Sequence, residues 1–112
     1  MAIYRVYSGD DGQTHVAEMN LADHPELTQA QNTANITFRV FPADREDEFH
    51  TAPRRQYIIT LSGVVEVEVG DGSKVQYHPG DARLVEDLTG QGHITRVLGG
   101  QPSVNVIIPL AD

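Results

Sequence analysis

A chain of 112 residues has room for one hydrophobic core and not two, and its lack of cysteine excludes a disulfide framework or a thiolate metal cluster. Its 16 acidic residues stand against 8 basic ones, a formal net charge of -8 that disfavours a nucleic-acid backbone as partner. The start, MAIYRVYSGDDG, has neither the basic residues nor the apolar run of a secretory signal. No stretch nears the ~18 apolar residues of a membrane span, so a cytoplasmic location without membrane contact is expected.

The dominant period along the chain is two, which predicts strands almost throughout. Ile3 to Tyr7 and His15 to Met19 are the first candidates. Ala22 to Asn32 reads as helical or irregular, and Pro25 confines any helix there to a short turn beginning near it. Asn35 to Phe41 follows as a strand, and the acidic run Asp44-Arg45-Glu46-Asp47-Glu48 reads as a solvated loop or edge. Tyr57 to Leu61 is apolar on both parities, as in a strand packed on both faces or lying at a subunit contact. Ser62-Gly63 has hairpin-turn chemistry, because glycine enters positive φ at no steric cost. Val65 to Val69 alternates strictly, with its valines toward a core and Glu66 and Glu68 toward water. Asp71-Gly72 repeats the turn and leads into Lys74 to Tyr77. Ala82 to Val85, His93 to Leu98 and Val104 to Ile108 complete the set.

Many short strands with Gly and Pro punctuation, and no repeat of the roughly 20 to 50 residues typical of solenoids, predict an all-β jelly-roll barrel or sandwich. One domain over residues 1–112, with no linker, is expected. A serine-nucleophile elbow, a phosphate loop, a dinucleotide fingerprint and a helix-turn-helix are all missing, which argues against covalent hydrolase, kinase, nicotinamide and transcription-factor readings.

FHTAPRRQYIITLSG (49–63), HPGD (78–81) and His93 stand in an order and spacing that resembles the cupins, the double-stranded β-helix family. The resemblance spans residues 36–109. His50 stands at the first histidine of that family's first signature, Ala52 at the second, Gln56 at the glutamate, and Gly63 closes the motif after six intervening residues. Pro79, Gly80 and Asp81 match the turn of the second signature, and His93 matches its histidine. The physical basis is strand parity, which turns residues 50, 52, 54 and 56 toward one barrel mouth.

The resemblance implies a divalent cation held by His50, Gln56 and His93. Loss of the carboxylate and of one imidazole weakens that shell toward iron and manganese, and leaves zinc, copper or nickel as the metals imidazole would retain. Partly buried, hydrogen-bonded histidines of purely structural role are the competing interpretation, and Gln56 has a parallel one as a partner for a neighbouring polar group. Arg54 faces the cavity if parity holds through Pro53, where it would favour an anionic ligand such as a carboxylate; otherwise it is a surface ion-pair residue. Ile58 and Thr60, further along the same strand, are the other substrate-contact candidates.

His15 is a candidate third imidazole that periodicity alone does not aim, whereas His24 and His78 each precede a proline and read as solvent-facing. Asp87 reads as a turn cap or as a general base at the rim. Two functions follow. One is a metal-dependent lyase, isomerase or oxygenase acting on a small organic molecule in the barrel mouth. The other is a metal-free ligand-binding or vestigial barrel. A homodimer is expected from the family, supported by the apolar surface of Tyr57 to Leu61 and Val104 to Ile108.

Overall fold

The computed structural model describes residues 1–112 as two facing sheets joined by short connections. Its strands are β1 (Ile3–Ser8), β2 (Thr14–Glu18), β3 (Thr37–Phe41), β4 (Gln56–Thr60), β5 (Val64–Glu68), β6 (Lys74–Tyr77), β7 (Ala82–Glu86), β8 (Ile94–Leu98) and β9 (Ser103–Pro109). The period-two reading therefore located every strand to within two residues at each end. The one helical element is a 3₁₀ turn at Pro25–Thr28, with Pro25 in its first turn as expected. No helix is long and apolar enough to cross a membrane.

The larger sheet has the order β2-β1-β7-β4-β9-β3, antiparallel except for the parallel β1–β7 pair, and the smaller has the order β6-β5-β8. Their inner faces meet in a core that includes Val6, Phe41, Ile58, Val65, Tyr77 and Val97. Asp71-Gly72 forms the β5–β6 hairpin, with the Ser73 amide donating to the Asp71 side chain at 2.8 Å. Ser62-Gly63 is not a hairpin turn, because β4 and β5 belong to different sheets. There Gly63 turns a corner between the layers at φ +72°, where a Cβ would come within 2.8 Å of the Pro102 carbonyl oxygen.

The acidic run takes the edge form of its two readings, with Asp44, Glu46 and Glu48 exposed. It lies along the outer edge of β8: the Asp47 amide donates to the Thr95 carbonyl, the Val97 amide to the Arg45 carbonyl, and the Asp47 carboxylate accepts from the Thr95 amide at 2.7 Å. Residues 45–50 thus serve the smaller sheet as an irregular further strand, and this carries the chain to His50. The wet face of β5 is likewise only partly wet. Glu66 and Glu68 both accept from Arg96 of β8, which also binds Glu46.

Candidate functional site

The site grows from one backbone pairing. His50 and His93 exchange both amide-to-carbonyl bonds, at 3.0 and 2.9 Å, outside any regular strand. That pairing depends on Gly92, whose φ is +82° and whose Cβ, if it had one, would lie 2.0 Å from the His50 carbonyl oxygen. The two imidazoles consequently lie side by side, with ring centroids 4.6 Å apart at 55°.

Each ring is held through Nδ1. His50 Nδ1–H donates to the Glu48 carbonyl oxygen at 2.9 Å. His93 Nδ1–H donates to Asp87 Oδ2 at 2.6 Å, and the same carboxylate oxygen accepts from the Thr14 hydroxyl at 2.9 Å. A carbonyl and a carboxylate are acceptors, so in each neutral ring the proton sits on Nδ1 and the lone pair on Nε2. Neither Nε2 has a partner within the chain.

Both rings line a cavity of about 200 Å³ between the sheets, together with Gln56, Thr95 and an apolar wall of Phe41, Ile58, Val85 and Ile107. Ala52 lines it too, so the strand-parity reading holds for residues 50, 52 and 56. It fails at Arg54. The chain bends at Pro53 and Arg54, which puts Arg54 on the outside, in a neighbouring groove that shares Arg39 and Gln56 with the cavity. Thr60 is fully buried and does not line the cavity; its hydroxyl donates to Asn105 Oδ1 at 2.8 Å, in a polar cluster completed by Ser103.

Asp87 is neither a turn cap nor a rim base. It is 0% exposed and positions His93 from behind. His15 supplies no third imidazole, since it pairs with Asp11 at the surface. His78 is exposed, and His24, near the surface, pairs with Glu26.

Three arginines that motif matching did not find complete the lining: Arg39, Arg45 and Arg83. Arg45 stacks over Phe41 at 4.2 Å and pairs with Asp47 at 3.1 Å. Arg83 is 2% exposed, lies 4.6 Å from the centroid of the Tyr77 ring, and leaves Nη1 without a hydrogen-bond partner. Burial, with Arg45 nearby, pulls its pKa down from the usual guanidinium range to about 10. Burial raises the Tyr77 hydroxyl well above the usual tyrosine range.

The donor set argues against a resident divalent cation. Two imidazole nitrogens and one neutral amide oxygen face the cavity, no aspartate or glutamate lines it, and three guanidinium groups do. No group of three or more His, Cys, Asp or Glu side chains able to hold a metal occurs in the chain. A cation there would lack the anionic oxygen that hard metals require and would face the Arg83 guanidinium, which has no carboxylate partner.

No protein-family profile matches the chain, and neither does any curated protein. Solved structures do. The polyketide cyclase RemF from Streptomyces resistomycificus superposes with a TM-score of 0.57 at 18% identity, over 95% of this chain and 70% of that one. A cupin-superfamily sugar phosphate isomerase from Silicibacter pomeroyi gives 0.54 at 13% identity, over 98% and 69%. A cupin 2 conserved barrel domain protein from Salinispora arenicola gives 0.51 at 17% identity, over 68% and 62%. With its two-layer all-β architecture, the chain is therefore a small protein of the cupin fold. Likeness at this identity establishes the fold, and the chemistry rests on the residues above.

Proposed function

We propose that this protein is a metal-free, small-molecule-binding cupin whose ligand sits in the barrel-mouth cavity against His50, His93 and Gln56. The observation that carries this reading is the pair of imidazoles fixed through Nδ1, each presenting an unpartnered Nε2 to a cavity without a carboxylate. Two preorganised lone pairs and an amide beside an apolar wall suit an organic ligand with hydrogen-bond donors.

The test has two arms, both on protein purified without chelator or affinity-tag histidines. Amide spectra recorded against a library of small organic fragments should show responses clustered on Phe41, His50, Gln56 and His93, lost in His93→Ala. Elemental analysis, with zinc, nickel, iron or manganese added, should return far less than one metal per chain. Near one metal per chain, abolished by His50→Ala, would replace this reading with a metalloenzyme.

A second reading, acid–base catalysis on the bound ligand, is favoured by the Asp87–His93 pair, because a buried carboxylate that orients an imidazole is a recurring means of proton transfer. It predicts exchange of a ligand C–H with deuterium in heavy water, abolished by His93→Gln. Loss-free exchange in that variant would dismiss it.

The protomer is proposed to act as a cytoplasmic homodimer through the outer face of the larger sheet. Register places Phe38 and Val40 of β3 beside Val106 and Val104 of β9, and these beside Ile59 and Leu61 at the end of β4. Phe38 and Val40 are 66% and 67% exposed, and Ile36 and Leu61 are exposed as well. An exposed apolar face of this kind suits an isologous two-fold contact.

A further inference from the structure

We infer that the ligand of this cavity is a small organic carboxylate, its charged end seated on the Arg83 guanidinium, its body against the apolar wall and a hydroxyl or amine donor toward the free Nε2 atoms. The inference rests on the cavity reading above and names its ligand class.

The position of Arg83 is the starting point. β7 runs through the larger sheet between β1 and β4, and Arg83 lies opposite Ile58, which lies opposite Ile107 in β9, so the three share one row on the inner face. An arginine in such a row points into the barrel. Buried charges are ordinarily paired or bound to a ligand, because removing a lone cation from water is costly. Arg83 has no carboxylate within ion-pair distance, unlike Arg5, Arg45, Arg55 and Arg96. Its only specific contact is the face of Tyr77, and Nη1 is buried with nothing to donate to. Arg45, of the same sign, shares the cavity lining and lowers the Arg83 pKa further. An anion between them answers both features.

The shape of the cavity limits that anion. An apolar cavity of about 150 Å³ is known to hold benzene, so the space of about 200 Å³ here fits a ligand of roughly six to ten heavy atoms. Phe41, Ile58, Val85 and Ile107 give an apolar part of that ligand a surface to pack on, and a planar carboxylate matches the forked donors of arginine. Arg39, on the lining and exposed, and Arg54, in the adjoining groove, extend positive charge outward to steer an anion inward.

Benzoate, benzamide and inorganic phosphate, titrated into the isotopically labelled full-length chain and followed by amide spectra, isolate the charged end of that ligand and test the inference. Benzoate is expected to bind at least tenfold more tightly than benzamide or phosphate and to move the resonances of Ile58, Val85 and His93. Arg83→Met should cost benzoate at least tenfold and leave benzamide unchanged, while Arg83→Lys, keeping the charge without the fork, should fall between. Benzamide binding as well as benzoate, or an unaltered benzoate affinity in Arg83→Met, would overturn the carboxylate inference and leave the cavity reading standing. Phosphate equalling benzoate would replace the organic carboxylate with an inorganic anion. No response of cavity residues to any probe would overturn both.

Discussion

Replacing Arg83 by methionine should make the ligand-free protein more stable, the reverse of what most buried substitutions do. The guanidinium is 2% exposed and unpaired, and the fall of its pKa from the usual guanidinium range to about 10 corresponds to about 3 kcal/mol against the charged form in the folded state. Against this stands the contact with the Tyr77 ring, worth roughly 1 to 2 kcal/mol when desolvated. Methionine keeps an unbranched stem of similar length and carries no charge, so the variant should gain roughly 1 to 2 kcal/mol. For a domain of this size that is a rise of about 4 to 8 °C in Tm. Because the folded pKa is depressed, the charge penalty is fully present below pH 10 and is relieved only as pH rises from about 10 toward the pKa of a free guanidinium. The advantage of the variant should therefore be flat across neutral pH and shrink in strong alkali. Urea unfolding at neutral pH, repeated with benzoate, measures both sides: benzoate should stabilise the wild type and not the variant. A loss of more than about 1 kcal/mol in Arg83→Met, without ligand, would refute the view that Arg83 is an uncompensated cation held for binding.

Gly92→Ala should separate the two imidazoles, because a Cβ there would sit 2.0 Å from the His50 carbonyl oxygen on a backbone at φ +82°; a loss of roughly 3 kcal/mol or more in urea unfolding is expected, and an unchanged midpoint would contradict it. Asp87→Leu strands both the Thr14 hydroxyl and His93 Nδ1–H, which should cost roughly 2 to 4 kcal/mol and give His93 a mixed-tautomer nitrogen spectrum, whereas a wild-type spectrum would show that Asp87 does not fix the ring. Phe38→Glu, on the exposed apolar face, should convert a dimer to a monomer in light scattering after gel filtration without changing ligand affinity; a wild-type mass would move the contact elsewhere.

The parts of the molecule that follow from local rules were legible in the chain. Alternation in Val65 to Val69 and the Asp71-Gly72 turn needed no tertiary knowledge, and His50, Gln56 and His93 followed from motif spacing. The failures lie where one strand's neighbours decide the outcome. Ser62-Gly63 reads the same whether it closes a hairpin or turns between layers, and only the pairing partners of β4 and β5 distinguish them. The acidic run reads alike as a solvated loop or an edge, and only its backbone bonds to β8, some 50 residues away in the chain, make it an edge. Arg54 faces inward by parity only if the register survives Pro53, and the bend at Pro53 and Arg54 puts it outside. Arg83 stayed hidden for the opposite reason: Leu84 and Val85 are both apolar, so β7 offers no alternation from which the inward parity of Arg83 could be read. Asp87 was noticed for its place near His93, but its complete burial is a property of the packed sheets.

The most direct test of the central claim is a ¹⁵N imidazole spectrum of His50 and His93 recorded while a small organic ligand is titrated into protein free of added metal. Both Nε2 resonances should move together on binding while both Nδ1 atoms remain protonated, as the bonds to Glu48 and Asp87 require. Nε2 resonances indifferent to every ligand, but displaced on addition of one equivalent of zinc or nickel, would contradict a metal-free binding site and make this barrel a metal centre.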